Sequence, residues 1–197
     1  MTMRALTAAL SAAAAALALG GCFGGSAPSE LLTLRSEQTR PVGSQQSAAA
    51  GQAITVAEPT VPVALQTTRV PVYVAPQTIQ YLRGAFWADD PSELFRAVVS
   101  ETISARTGRV VLDPGQFSND PGTRLTGQLL MFGLDSERME AVALYDAVLE
   151  RGRGAVTTQR FEARIPVPVA DAATVAPALN QAANRVAEQV AAWIGGS

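Results

Sequence analysis

Few side chains in this 197-residue chain can do chemistry. The sequence has no histidine, and all 15 basic residues are arginines, so there is no lysine either. This removes general bases that titrate near neutrality, histidine metal ligands, Ser-His and Cys-His dyads, and lysine-dependent Schiff-base or phosphate-loop chemistry. The only cysteine is Cys22. Its thiol is the one nucleophile whose sequence context indicates a definite reaction.

An export signal precedes Cys22. Residues 1–4 include one arginine, and residues 5–19 are an unbroken run of small and apolar side chains. A charged start followed by a short apolar stretch is typical of a secretory signal peptide. The stretch is mostly alanine and is shorter than the roughly 20 predominantly apolar residues of a membrane-spanning helix. We therefore predict a signal peptide over residues 1–21, in preference to a retained anchor helix.

The segment Leu19-Gly20-Gly21-Cys22 resembles the lipobox of lipoprotein precursors, in which an aliphatic residue and two small residues precede the acylated cysteine. The small residues let a peptidase approach the backbone, and the thiol accepts a diacylglycerol. Each buried methylene contributes about 0.8 kcal/mol, and a single acyl chain anchors a protein only marginally. The two or three chains of a mature lipoprotein would hold it permanently.

A short tether is predicted to follow the anchor. Residues 22–29 are rich in glycine and serine, so the body of the protein would stay close to the membrane. The residue after the cysteine is Phe23 rather than Asp, which by the sorting rule of enterobacterial lipoproteins favours the outer membrane, with the protein facing the periplasm. With one cysteine, no intramolecular disulfide is available.

The remaining chemistry is that of carboxylates, and these are scattered. Asp89 and Asp90 are adjacent, so their side chains diverge, and Asp90 precedes a proline as a helix cap would. The other candidate aspartates lack the spacing of a calcium loop; they are Asp113, Asp120, Asp135 and Asp146. We predict no catalytic residue, no cofactor and no metal site. A net charge of −2 without a basic face argues against nucleic acid as a partner.

Residues 30–197 are predicted to form one folded domain, because 48% of the chain is hydrophobic and only 16% is charged. Residues 31–34 indicate a first strand, residues 36–52 a loop, and residues 70–74 and 78–82 two strands around a turn. A helix is predicted from a capping box at Asp90 and Glu93 to Gly108. Its apolar stripe is Leu94, Phe95, Val98, Val99 and Ile103.

Three extended runs follow, over residues 125–134, 141–149 and 155–165, and their short connections demand antiparallel neighbours. A second amphipathic helix ends before Gly195, and Pro177 favours a start near Thr174, since proline is tolerated in the first turn. We expect Phe95, Val98 and Trp193 to be buried. The predicted fold is α+β: one domain, with two amphipathic helices packed on an antiparallel sheet.

The order of these elements, together with several short phrases, resembles the ABC-type transport auxiliary lipoprotein family. The phrases are the lipobox, Leu31-Leu32-Thr33-Leu34, Val61-Pro62-Val63-Ala64-Leu65, Ile79-Gln80-Tyr81-Leu82, Phe86-Trp87-Ala88-Asp89 and Trp193-Ile194. The resemblance implies an outer-membrane lipoprotein of an MCE-type lipid transport system. It also implies docking on the MCE-domain periplasmic protein of an ABC transporter, self-association into a homo-oligomeric ring, and no catalytic residues.

Two questions stay open at the level of sequence. Trp87 is a candidate contact for a partner or a lipid, and the alternative is a core tryptophan that shields the start of the first helix. The function has an alternative too: a structural or outer-membrane assembly lipoprotein without a transport role.

Overall fold

A computed structural model describes residues 30–49, 51–115, 122–152 and 154–196, which form a seven-stranded sheet with two helices packed on it. The strands are β1 (Ile54–Val56), β2 (Arg69–Ala75), β3 (Thr78–Phe86), β4 (Val111–Leu112), β5 (Thr123–Asp135), β6 (Glu140–Arg151) and β7 (Val156–Pro166). The helices are α1 (Pro91–Thr107) and α2 (Ala172–Gly195), and a 3₁₀ turn covers Val63–Leu65. The predicted α+β class and single domain are confirmed.

The central strand is β5, and both of its edges are used. Along one edge β6 pairs antiparallel from Thr123 to Asp135. Along the other edge lie, in turn, β1, a bridge from Thr60 to Gln128, and β2, all parallel to β5. Outside this set, β7 pairs with β6, β3 with β2, and β4 with β1.

The sheet is mixed, which corrects the expectation of an antiparallel sheet. The antiparallel pairs β5–β6, β6–β7 and β2–β3 are present, but β1 and β2 run parallel to β5, and β4 runs parallel to β1. Short connections predict antiparallel pairing only between strands that follow one another in sequence. The parallel partners here are separated along the chain by α1 and other elements, so no connection length indicated them.

Helix α1 has the predicted ends but not the predicted capping box. Asp90 is the N-cap residue, yet its side chain makes no capping hydrogen bond. The Glu93 carboxylate accepts hydrogen bonds from Arg96 one turn later, so an (i, i+3) ion pair replaces the box. Gly108 ends the helix at φ 69°, a left-handed conformation that costs glycine little. The buried face includes Phe95, Val98, Val99 and Ile103.

Helix α2 starts at Ala172, earlier than the predicted Thr174, because Asp171 caps it: the Thr174 amide donates to the Asp171 carboxylate at 2.9 Å. Pro177 therefore lies in the second turn rather than the first. It removes the N–H that would bond to the carbonyl of Ala173, and Ala173 is exposed, so water can satisfy that oxygen.

The alternation predicted for β7 is confirmed, whereas the burial of Trp193 is not. Phe161, Ala163 and Ile165 are buried under α2, while the residues between them are more exposed. Trp193 is only half-buried and packs edge to face on Phe161, with ring centroids 5.6 Å apart. The side chain that closes this end of α2 is Ile194, at 2% exposure.

Four buried aromatic rings form the centre of the core. Trp87 stacks on Phe132 with ring centroids 5.4 Å apart, and Phe95 contacts Phe132 at 6.3 Å and Tyr145 at 5.3 Å. Gly127 makes room for this cluster, since a Cβ there would lie 2.8 Å from the Tyr145 ring. The cluster joins β5, β6 and the start of α1.

The predicted first strand is a single bridge. Leu32 pairs with Trp87 in parallel, and residues 30–40 otherwise have no strand structure. Alternation in residues 31–34 nevertheless agrees with one buried face, because Leu34 is 9% exposed and Leu31 is 55% exposed.

Replacing Phe95 by Ala should lower the free energy of unfolding by about 3–5 kcal/mol, because it empties the space between two buried rings. Chemical denaturation of a soluble form lacking residues 1–22 measures the change. Leu94→Ala, at the half-buried neighbouring position, is the control and should cost clearly less. A loss below about 1 kcal/mol for Phe95→Ala would contradict this account of the core.

Candidate functional site

Cys22 and the lipobox residues Leu19, Gly20 and Gly21 lie outside the described residues, as do the predicted signal peptide and tether. The first described residue is Glu30. The described segment closest in sequence to the predicted acylation site is residues 30–40, into which the tether would lead. We call residues 30–40 the strap.

The strap is joined to the core at its start by backbone hydrogen bonds. The Leu32 amide donates to the Phe86 carbonyl at 2.7 Å, and the Ala88 amide donates to the Leu32 carbonyl at 2.8 Å. These two bonds enclose Trp87 between them. The start of the strap is thus joined to the backbone on either side of Trp87.

Two asparagines of α2 hold the middle of the strap. The Arg35 amide donates to Asn180 Oδ1 and the Glu37 amide donates to Asn184 Oδ1, both at 2.8 Å. Asn184 Nδ2 in turn donates to the Arg35 carbonyl at 2.8 Å and to the Asn180 carbonyl at 2.9 Å. Asn184 is 2% exposed, and these bonds satisfy its side-chain amide without water.

Helix α1 holds the strap from the other side. The hydroxyls of Ser36 and Thr102 are 3.0 Å apart, and the Arg40 amide donates to the Glu101 carboxylate at 2.8 Å. The strap therefore lies across both helices, on the helical side of the sheet. In α2, Asn184 and Val186 are both buried although they are two positions apart, about 200° around the helix axis, so this helix is buried on more than one face.

Trp87 belongs to the core. Its side chain is 2% exposed and stacked on Phe132, so in this conformation it has almost no surface to offer a partner or a lipid. Within the described part of the chain, its indole Nε1 is buried without a hydrogen-bond partner. An unsatisfied buried donor costs about 1–3 kcal/mol, which the ring's packing must exceed.

The opposite face of the sheet is open to solvent and carries paired charges among apolar side chains. Met131, Leu144 and Val148 are half-buried there. Arg160 forms two hydrogen bonds with the Asp146 carboxylate, both at 2.6 Å. A shallow open groove on this face runs past Gln128, Asp146, Val148 and Thr158. The helices and the strap leave this surface of β5, β6 and β7 uncovered.

Arg164 is the centre of the ion pairs at the far end of this face. It contacts Asp135 at 2.9 Å, Glu140 at 3.3 Å and Glu162 at 2.5 Å. Burial alone would raise the pKa of Asp135, but the hydrogen bonds from Arg164 and from the Arg138 amide outweigh it and lower that pKa. The Arg160 guanidinium likewise lowers the pKa of Asp146. Both carboxylates are therefore firmly ionised at neutral pH.

A second open groove, between α1, β4 and residues 40–46, is polar. Arg96, which lines it, is neutralised by Glu93 and Asp113. In the described residues, no group of three or more His, Cys, Asp and Glu side chains is arranged to hold a metal ion. None of the helices described is both long and apolar enough to cross a membrane.

The comparison with known families decides the class. Residues 33–191 match the model of the ABC-type transport auxiliary lipoprotein component. The chain belongs to this family. The predicted family is thereby confirmed, and the family description makes the protein a membrane-associated lipoprotein that accompanies an ABC transporter. No curated protein sequence matches the chain.

Two solved structures share the fold of this family member. Protein XCC0632 from Xanthomonas campestris, a DUF330 protein, has 21% sequence identity and a TM-score of 0.64, over 85% of this chain and 95% of its own. A second crystal structure, described only as that of an uncharacterized protein, has 16% identity and a TM-score of 0.62, over 77% of this chain and 95% of its own. At these identities the likeness extends to the fold alone.

Sequence reasoning missed the two asparagines that hold the strap. Asn180 and Asn184 are four residues apart on a helix in which half of the residues are alanine or valine. That spacing places them on one helix face, and amides are costly to bury without partners, so the pair was a detectable signal. What the sequence could not supply was the partner, since it is the backbone of a segment about 150 residues earlier.

Replacing Asn184 by Leu should release the middle of the strap, because the Arg35 carbonyl and the Glu37 amide lose their partner. We expect a loss of about 2–3 kcal/mol in unfolding free energy and faster hydrogen exchange at the Glu37 amide. Gln189→Leu, an amide-to-leucine change at an exposed position of the same helix, is the control and should change neither quantity. Unchanged exchange at Glu37 in Asn184→Leu would mean that the asparagine does not hold the strap.

Proposed function

We propose that this protein is the outer-membrane-anchored auxiliary lipoprotein of an MCE-type ABC lipid transport system, acylated on Cys22 and acting by docking rather than by catalysis. Its partner is the MCE-domain periplasmic protein of the transporter, and several copies associate around the conduit. The observation that carries this proposal is the match of residues 33–191 to the auxiliary lipoprotein family. The side-chain inventory supports the non-catalytic part, since the chain has no histidine or lysine, and Arg160 and Arg164 on the solvent face of the sheet are paired with carboxylates.

The strap supports the anchoring part of the proposal. An eight-residue tether over residues 22–29 spans at most about 28 Å, so the acylated end must stay near the place where the strap begins. The strap lies on the helical side of the sheet and is hydrogen-bonded to both helices. In this proposal the helical side therefore faces the membrane.

The solvent face of the sheet is then the surface directed into the periplasm. Its half-buried Met131, Leu144 and Val148 supply apolar area, and the Arg160–Asp146 pair supplies a polar rim. Protein interfaces combine these two kinds of surface. We propose that the MCE-domain partner docks on this face.

Replacing Cys22 by Ser should abolish acylation, because a hydroxyl does not replace the thiol in lipoprotein maturation. The precursor should keep its signal peptide, or the protein should leave the membrane fraction. Metabolic labelling with a fatty-acid analogue, followed by fractionation, measures both effects. Label that persists in Cys22→Ser would refute the lipoprotein assignment of this cysteine.

The acylated protein should co-purify with the MCE-domain protein and the other transporter components from detergent-solubilised envelopes. Val148→Arg should reduce this recovery about 10-fold or more, because it places a long cation in the apolar part of the docking face. Val42→Arg is the matched control: the same substitution at a fully exposed position of the loop that follows the strap. It should leave recovery unchanged.

Recovery with outer-membrane assembly factors and no transporter component would overturn the transport function and favour the structural alternative. Equal recovery of Val148→Arg and Val42→Arg with the transporter would retain the function but remove the sheet face as the docking surface. Circular dichroism of both variants establishes that the fold is intact before the recoveries are compared.

A further inference from the structure

Three connections lie side by side at one end of the sheet: the β2–β3 turn, the β5–β6 turn and the loop from β7 to α2. The Ser136 amide, in the β5–β6 turn, donates to the Tyr73 carbonyl of β2 at 3.1 Å. On its other side, the Val167 amide donates to the Met139 carbonyl at 2.8 Å. The three connections therefore form one surface.

The two outer connections of this surface carry no charge. Residues 75–80, in the β2–β3 turn, and residues 168–170, in the loop before α2, are exposed and include no charged side chain. We call these two segments the uncharged rim. Ile79 is 43% exposed and Val169 is 54% exposed there. Uncharged loops with aliphatic side chains suit the boundary between lipid headgroups and acyl chains, where charges are costly to bury.

The charges nearest the rim are balanced or set back from it. In the β5–β6 turn, the exposed Glu137 and Arg138 have opposite signs. The Asp171 carboxylate, next to the rim in sequence, accepts a hydrogen bond from the Thr174 amide as the cap of α2. The opposite end of the sheet differs, since charged residues stand at the end of the β5–β6 ladder there: Arg124, Glu150 and Arg151. The two ends thus differ in charge.

The path of the strap shows from which direction the chain arrives. Leu32 pairs in parallel with Trp87, and β3 runs from the rim towards Trp87, so the chain before Leu32 comes from the side of the rim. In this register Glu30 is level with Ala85. The stretch of β3 from Ala85 back to Thr78 is about 23 Å long. A tether that spans at most about 28 Å is long enough to bring the acylated end level with the rim.

From these observations we propose that the uncharged rim contacts the lipid bilayer beside the acyl anchor, with Ile79 and Val169 at the boundary between headgroups and acyl chains. This inference rests on the proposed acylation of Cys22, which brings the bilayer within reach. The loop of the rim leads into α2, so the rim adjoins the helical side, and the solvent face of the sheet stays open to the periplasmic partner. Lipid anchors alone leave a protein free to turn about its tether, whereas the rim would fix one orientation.

Fluorescence quenching in vesicles tests the contact. Because acylation occupies the Cys22 thiol, an introduced cysteine is the one free thiol of the acylated protein and can carry a fluorophore. Gln77→Cys and Ala170→Cys place the fluorophore on the two segments of the rim, and Thr157→Cys places it at an exposed position near the opposite end of the sheet. The vesicles consist of phosphatidylethanolamine and phosphatidylglycerol with a spin-labelled acyl chain. We expect quenching at both rim positions to exceed that at Thr157→Cys about 3-fold or more, since interfacial groups enter the boundary region.

A charge on the rim tests whether the contact depends on its apolar character. Ile79→Glu should lower the quenching of the fluorophore at position 77 by about half or more, because a carboxylate resists transfer out of water. Val156→Glu is the matched control: the same change at a 60% exposed strand position near the opposite end of the sheet. It should leave the quenching unchanged. Circular dichroism of both variants establishes that the fold persists.

Flotation with the vesicles separates this inference from the proposed function. Protein that is not acylated and does not float would refute the proposed anchoring and the inference with it. Protein that floats, with rim fluorophores quenched no more than the one at Thr157→Cys, would refute the inference alone. Unchanged quenching in Ile79→Glu, or crosslinks from position 77 to a protein rather than to lipid, would also overturn it.

Discussion

The structure depends on β5 having strand partners on both of its edges. On one edge β6 supplies an antiparallel ladder from Thr123 to Asp135, with one irregularity between Leu129 and Met131. On the other edge three separate segments pair with different parts of the strand. Between Thr60 and Arg69 the chain leaves the edge of β5, and it pairs with that edge again through β2, farther along the strand. Because a buried strand cannot leave its backbone groups unpaired, this arrangement fixes where β1, β2 and the hairpin partner β3 must lie. It also places Trp87 over Phe132, where the helical layer begins.

The local patterns of the sequence were sufficient for both helices, for most of the strands and for the α+β class. Alternation revealed β7, and a proline after Asp90 with Gly108 beyond revealed α1. The parallel pairs could not be predicted, because they join segments that are distant in the chain and carry no turn signal. The start of α2 was misplaced for a different reason: a side-chain cap at Asp171 outweighed the positional preference of Pro177. For the site, the lipobox was visible in the sequence, whereas the contacts of the strap with Asn180 and Asn184 were not.

Two buried polar groups on the helical side differ in whether they have hydrogen-bond partners. Asn184 has its amide satisfied by backbone atoms of the strap and of its own helix, so burial makes these bonds specific and holds the strap in one place. Trp87 Nε1 finds no partner among the described residues, and only the stacking and burial of a large ring offset its desolvation. The hydrogen bonds of Asn184 fix where the strap lies along α2. The Trp87 ring, by contrast, contributes to the core through its packing alone.

The exclusive use of arginine explains how the charges on the solvent face of the sheet pair with one another inside the chain. A guanidinium is planar and has five donors, so Arg160 binds one carboxylate with two hydrogen bonds, and Arg164 reaches three carboxylates at once. Each exposed pair contributes little stability by itself. On β7 opposite charges also lie side by side, since Glu162 is between Arg160 and Arg164 on the same face and accepts a hydrogen bond from Arg164. Arg160 and Arg164 are therefore held in ion pairs within the chain, so a partner that docks on this face would have to compete with carboxylates already bound to them.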